Sequence, residues 1–512
     1  MKTNKFLLYT GVGLLMLAFA TGCRKELNEV GPQTSLDPNL VVTDPAAANT
    51  LYFGVYSSFR SYQSLFFQLG EARSDIWADG LFTESADGTM TQYYTHNISA
   101  LNVPAGSWGG LYTLLNRINN VIKVFPGTSI DNTTKNRELA EMYGLRAYVY
   151  YTLLRTWGRV PITTEPLTSI GDLSQLYKPR SSADSVLMLI KSDIDQSLTL
   201  FAGNNGVSPV STKRVFWNRA ATLTLKGDVY LWSGTNMGGG NSDISTAKLA
   251  LEEAAGITAN FGLQATYADI FDPTKEAGNK EIIFAISYEK DQSTLTYFPS
   301  IFSVNTTQAS TLLFDAVPGP GVSVSTTYPF VAGANRVGLS AAMLARINNP
   351  LDKRMKVSFR PMHSNVSPYS IRGVMLTKFI GRVDAGAQLY DNDFPIYRYA
   401  DVLLMLAEAK AKMGADPSAE INLIRARAYG TGYTPYVNST LSDNLNAILE
   451  ENLREFIGEG KRWWALRRAG DSYVYANIKP SYLSATTTAK LLLPISVGML
   501  NGDPTLTQTE GY

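Results

Sequence analysis

The sequence predicts a mainly α protein: an irregular helical-repeat scaffold that carries long loop-rich insertions and a few short strands. Three observations predict it. Apolar residues recur at helical spacing in five separate segments. Three segments interleave small with large apolar residues, which lets paired helices approach closely: AEMYGLRAYVYYTLL (140–154), AATLTLKGDVYLWSG (220–234) and ADVLLMLAEAKAKMG (400–414). Between the periodic segments lie stretches rich in Ser, Thr, Gly, Pro and Asn with scattered aromatics, which is loop composition. The copies are unevenly spaced, so the pattern is not a regular solenoid.

The chain of 512 residues opens with Lys2 and Lys5, an apolar stretch from Phe6 to Ala20, and Ala20-Thr21-Gly22-Cys23. That stretch is too short to span a bilayer and reads as a secretory signal over residues 1–22. Cys23 is the single cysteine, so no disulfide can form within the chain. Its place directly after small residues resembles a bacterial lipobox, which makes Cys23 the expected lipidation site. Acyl chains at about 0.8 kcal/mol per buried methylene would hold a soluble unit at a membrane. Residues 23–45 contain Pro, Asn and Asp without apolar periodicity and read as a lipidated tether. Residues 46–512 read as one unit.

The first helical stripe starts near Trp108 and includes Leu111, Leu115, Ile118 and Ile122. A second carries Leu139, Met142, Leu145, Val149 and Leu153, spaced 3, 3, 4 and 4. A third runs from Asn218 to Gly234. A fourth holds Tyr399, Val402, Leu403 and Leu406, with Gly414 as its stop. The fifth holds Leu445, Ile448, Leu449, Leu453, Phe456 and Ile457, with Asp443 near its start. Residues 281–287, EIIFAIS, are β-branched and aromatic and predict a strand. Residues 75–107 and 291–345 have loop composition.

Charge and motif content exclude several functions. Lys+Arg is 45 against Asp+Glu 44, a balance that gives nucleic acid no electrostatic purchase. The two histidines, His96 and His363, make no His-Glu-x-x-His zinc motif, and no second cysteine exists as a soft ligand. No Gly-x-Ser-x-Gly elbow supports a serine nucleophile. Gly458-Glu459-Gly460-Lys461 fails the phosphate-loop spacing, and Arg462 stands where Ser or Thr is required. Asp391-Asn392-Asp393 lacks the Gly and distal Glu of a calcium loop. No metal or cofactor is predicted, although structural calcium stays open. Glycoside hydrolysis would need two carboxylates. Asp75 and Asp79, beside Trp77, are the best local pair, and on a helix they would share a face. No catalytic residue is assigned.

The loops supply what sugar recognition needs: aromatic faces for C–H surfaces, and planar donors and acceptors for hydroxyls. Trp77, Phe82, Tyr93, Tyr94 and Asn97 stand in the first loop region. Tyr297, Phe298, Phe302, Tyr328 and Phe330 stand in the second. The expected stacking platform is Trp77 with one or more of Tyr93, Tyr94 and Tyr328.

Motifs in the C-terminal third resemble the SusD/RagB family. FPIYRYADVLLMLAEAKAKMG (394–414), INLIRARA (421–428), ILEENLREFIGEGKRWWALRRAG (448–470), LLLPIS (491–496) and NGDPTLTQTEGY (501–512) follow in that order. The ending departs from the family's pattern at several positions. Trp108-Gly109-Gly110-Leu111-Tyr112 and Arg146-Ala147-Tyr148 are similar to the family's N-terminal helices. The resemblance divides the unit into an N-terminal region of about 46–240 and a C-terminal region of about 270–512. It implies a tetratricopeptide-like frame with the ligand site on loops outside it. It also implies a lipid-anchored protein on the outer membrane, facing the exterior, that captures oligosaccharide or polysaccharide for a SusC-like TonB-dependent barrel. Arg24-Lys25-Glu26-Leu27 looks like the surface-export signal of such lipoproteins. A peptide-capturing RagB-type protein is the alternative, and a surface glycoside hydrolase is a third. The charged residues of the C-terminal motifs, including Arg398, Arg427, Glu455, Glu459 and Arg462, read as scaffold.

Overall fold

The computed structural model describes residues 38–512 apart from 82–85, 168–172, 208–210 and 317–319. Residues 1–37, with Cys23 among them, and Phe82 lie outside the described residues.

The frame consists of helices α1 (Pro45–Arg60), α2 (Gly109–Val124), α3 (Asn132–Trp157), α4 (Ala183–Phe201), α5 (Arg219–Asn236) and α6 (Gly240–Ala255), followed after an insertion by α7 (Tyr399–Lys412), α8 (Ser418–Tyr429), α9 (Leu441–Phe456) and α10 (Arg462–Ala469). Polar side chains set their starts. Asp131 Oδ1 accepts from Thr134 N at 3.0 Å, Asn218 Oδ1 from Ala221 N at 3.0 Å, and Thr440 Oγ1 from Asp443 N at 3.2 Å, each satisfying a first-turn N–H. The predicted stripe Leu139, Met142, Leu145, Val149 and Leu153 is buried on α3.

The small residues do what their pattern predicts. A Cβ on Gly144 would lie 2.1 Å from Trp217 Nε1, and one on Gly227 would lie 2.4 Å from Leu251 Cγ. Helices α5 and α6 therefore pack with backbone close to side chain. Neighbours pack as pairs, α3 with α4, α5 with α6, and α6 with α7. One continuous apolar core runs from Val41 to Ile495, and a smaller cluster around Phe314, Met362 and Met375 lies within the insertion.

The strands are short and all their pairings are antiparallel. β1 (Trp77–Asp79) pairs with β5 (Val337–Leu339), and β2 (Ile282–Ile286) with β10 (Phe394–Arg398). β3 (Leu312–Phe314), β4 (Val322–Ser323), β6 (Phe359–Ser364) and β7 (Ile371–Leu376) form one sheet in the order β4-β3-β6-β7. β8 (Arg382–Asp384) and β9 (Ala387–Leu389) form a hairpin. β2 is the strand predicted at 281–287. Residues 291–345, whose composition predicts loop, hold β3, β4 and β5 among short helical turns. Strands of two or three residues are too short to show a period of two.

Charged residues fill the centre of the C-terminal half. Arg398 is fully buried and donates to Glu281 Oε1 at 2.6 Å, Glu455 Oε1 at 2.6 Å, and Glu459 Oε2 and Oε1 at 2.9 and 3.0 Å. Arg427 also holds Glu281 and Glu455, Arg354 holds Asp352, Glu451 and Glu455, and Lys378 holds Glu459. Arg468 ties Asp228 to Glu408, joining α5 to α7 and α10. Arg398, Glu408, Arg427, Glu451, Glu455, Glu459 and Arg468 are charges of the C-terminal motifs, and the structure places them in the frame.

This network predicts acid sensitivity. Burial would raise the Glu459 carboxyl, but Arg398, Lys378 and Lys461 outweigh burial and hold it down at about 2, against an ordinary 4.5. A carboxyl depressed on folding stabilises the fold fully above pH 4.5 and loses that contribution as pH falls toward 2. The contribution is about 3 kcal/mol. Glu459→Gln should therefore flatten the decline of the melting midpoint between those pH values. Calorimetric melts check this, and a variant with the wild-type slope would refute it.

Candidate functional site

The first loop region is fastened before it reaches the surface. Helix Gln63–Phe67 runs into one wide turn, Gln68–Ala72, which buries Glu71. Glu71 accepts from the backbone N–H of Gly458 at 2.7 Å, Gly460 at 2.8 Å and Lys461 at 3.3 Å. The Gly-Glu-Gly-Lys segment is thus an anion-binding backbone concavity, and the anion is the protein's own side chain. Gly458 and Gly460 have φ of 85° and 74°, which favours glycine at both positions. Burial pushes the Glu71 carboxyl up to about 7 in spite of those donors.

Three further contacts continue the fastening. Arg73 stacks 4.4 Å over Trp463 and donates to the carbonyl of Leu491 at 2.9 Å and to that of Lys490. Asp75 accepts from Arg462 at 2.9 and 3.0 Å and from Arg346 at 3.1 Å. β1 then pairs with β5 in the register Trp77 to Leu339 and Asp79 to Val337. The two aromatic loop regions are therefore stitched together by main-chain bonds.

Asn335 extends that seam. It is fully buried, with φ of 40°, and its Oδ1 accepts from Leu81 N at 2.8 Å while its Nδ2 donates to Phe302 O at 2.9 Å and Val374 O at 3.1 Å. Beside it, a Cβ on Gly80 would sit 1.8 Å from Asn335 O, so only glycine fits there.

The seam borders a concavity of about 230 Å³. Trp77 and Tyr94 line it together with Tyr482, Ser74, Asp75, Ser340, Met343, Arg346, Asn477 and Lys479. Tyr94, at the end of helix Gly88–Tyr94, donates to Asp79 Oδ1. Lys479 Nζ lies 5.2 Å from the centre of the Tyr482 ring. Indole and phenol rings, an amide, hydroxyls and cationic donors thus converge on one opening.

The predicted residues divide among several environments. Trp77 and Tyr94 meet in this concavity. Tyr93 and Phe302 are 0% and 1% exposed and belong to the core, Phe302 packing 4.8 Å from Trp77. Phe298 is also core. Tyr297 is half-buried, accepts from Gln68 Nε2 at 2.8 Å, and lines a separate groove against α1. Tyr328 rests edge-on against Phe314, while Asn97 and Phe330 are exposed elsewhere. Sequence reasoning missed Tyr482, Asn477, Lys479, Ser340 and Arg346. The signal for three of them was present in DSYVYANIKPSYLS (471–484), a Pro- and Ser-containing aromatic stretch after Gly470.

The proposed carboxylate pair is corrected. Asp75 and Asp79 sit on a turn and on β1, not on a helix. Burial would raise Asp75, but Arg462 and Arg346 outweigh it and hold the carboxyl below its usual range, so it carries no proton to donate near neutral pH. Among the described residues no group of three or more His, Cys, Asp or Glu could hold a metal ion, and no helix is long and apolar enough to cross a membrane.

Comparison with known proteins gives a consistent relationship. Residues 359–512 match the model described as the SusD family. NanU of B. fragilis is 33% identical with a TM-score of 0.84, covering 94% of this chain and 100% of its own. A SusD superfamily protein from Bacteroides vulgatus is 32% identical with a TM-score of 0.80, covering 92% of this chain and 99% of its own. The starch-binding protein SusD of Bacteroides thetaiotaomicron is 30% identical over 138 residues, 26% of this chain and 24% of that protein.

Proposed function

The chain belongs to the SusD family, and from that premise we propose that it is a non-enzymatic cell-surface lipoprotein that captures glycan. In this reading Cys23 carries the acyl anchor at the outer membrane. The loop face receives oligosaccharide and passes it to a SusC-like TonB-dependent barrel. The observation that carries the reading is the concavity formed by Trp77, Tyr94 and Tyr482 with Arg346, Asn477 and Ser340. Aromatic faces there suit sugar C–H surfaces, and the polar groups suit hydroxyls. The relative named for starch binding lends the family half of the argument.

Native electrophoresis of the mature chain through gels containing different polysaccharides tests it. Retardation by one polysaccharide, with no new reducing ends, is the expected result. Free migration through every gel, together with binding of an extended peptide, would replace the glycan by a peptide. New reducing ends would show hydrolysis. Co-purification of a barrel from detergent extracts is the expected sign of the transporter partner.

A further inference from the structure

Away from the Trp77 concavity, the outer face of α1 carries a second depression that no relative's name assigns. It consists of two concavities of about 610 and 390 Å³. Both include Ser57, Arg60 and Gln292, so they are one groove. Phe53, Tyr56 and Phe216 line one end, and Tyr288 and Tyr297 the other. Phe53 is 42% exposed, with its ring centre 6.1 Å from that of Phe216. Phe53 and Arg60 lie seven residues apart on α1, about 10 Å along the axis, before the groove continues to Tyr297.

We propose that this groove is a second glycan-binding surface, which takes a run of sugar units from a polymer. The inference rests on the glycan-capture reading above. Two observations favour a glycan over other occupants. The Tyr297 end is lined by hydroxyl and amide, from Ser57, Ser61, Ser64, Thr294, Thr296 and Gln292, while Val215, Phe284 and Ile286 add apolar surface at the Phe53 end, and only Arg60 and Glu289 are charged. A neutral chain with hydroxyls and C–H faces suits such a mixed lining, whereas an anionic polymer needs repeated cations.

The floor also disfavours an added peptide strand. β2 turns Phe284–Ile286 toward the groove. Its outer edge is already occupied, because Ala285 N donates to Arg214 O at 2.9 Å and Asn218 Nδ2 donates to Ile283 O at 2.7 Å. Strand addition needs those groups free.

The groove and the Trp77 concavity share no lining residue. They are connected inside the protein by the ring contacts Tyr297–Phe67 and Phe67–Trp77, each at 6.0 Å. Two separate surfaces on one protein raise the avidity for a polymer long enough to touch both.

The test uses the full chain in detergent, the polysaccharide that retards it, and short oligosaccharides from the same polymer. Phe53→Ala and Ser57→Trp each change an exposed side chain, and unchanged melting midpoints show that both variants fold. Both should weaken retention by the polysaccharide about tenfold and leave the affinity for the shortest bound oligosaccharide unchanged. Wild-type retention in both variants, with Tyr482→Ala alone removing it, overturns the second surface and leaves the glycan reading standing. A wild-type chain retained by no polysaccharide overturns both.

Discussion

Replacing Arg398 with methionine is expected to cost about 3–5 kcal/mol, the range for removing one partner of a buried ion network. The side chain has no exposed surface and serves three carboxylates, Glu281, Glu455 and Glu459, which are equally closed to water. Methionine keeps most of the volume but removes every donor. Arg427 still reaches Glu281 and Glu455, and Lys378 still reaches Glu459, so the carboxylates are not wholly abandoned. Their demand nevertheless exceeds the remaining supply, and Glu455 shows it most clearly. Burial opposes its charge, and only Arg427, Arg398 and Arg354 together hold the carboxyl well below the usual range. Urea titration should show a lower midpoint with an unchanged slope. A midpoint equal to the wild type would mean that the network is dispensable to the fold.

Alanine at both Tyr94 and Tyr482 should weaken glycan affinity by about 2 kcal/mol, roughly thirtyfold, as expected for aromatic hot spots in a desolvated pocket. Trp77 is the poorer choice for this test. At 5% exposure its ring packs on Phe67 and Phe302, so truncation would open a core cavity as well as change the site. Tyr482 is half-buried at the edge of the core, with the Lys479 ammonium 5.2 Å from its ring centre, which makes its removal mild for the fold, and because Tyr94 is 8% exposed the melting midpoint of the double variant is measured alongside. Calorimetric titration with the retarding oligosaccharide gives the readout. Unaltered affinity in the double variant would move the site away from this concavity.

The helices were legible because their burial stripes are long and regular, as the run from Leu139 to Leu153 shows. The small residues were legible for a related reason, since Gly144 and Gly227 stand among large apolar neighbours and mark close approach. The site was legible only in half. Trp77 and Tyr94 stood out as aromatics in loop composition, but so did Tyr93 and Phe302, which lie deeper and do not reach the concavity. An aromatic in a loop packs beneath the wall as readily as it forms its face, and composition holds no term that separates the two. Arg346 and Tyr482 come from segments far along the chain. Arg346 reaches the site through its bond to Asp75, across 271 positions, and no local pattern encodes such a meeting. The Glu71 cradle was hidden in the same way. Its glycines fail the phosphate-loop spacing, and the carboxyl that they hold lies nearly four hundred residues upstream.

That cradle, with the β1–β5 seam, separates the residues that hold the recognition segment from the residues that face the opening. Glu71 and Asn335 hold it from within, Asp75 both holds it and lines the opening, and Tyr94, Ser340, Met343, Lys479 and Tyr482 line the opening. The arrangement resembles a lens mount with an interchangeable lens. Lys479 is exposed and Tyr482 half-buried, so substitutions confined to these two positions leave the mount unaltered, and a library varied there alone could be screened for new sugars without re-establishing the fold in each member.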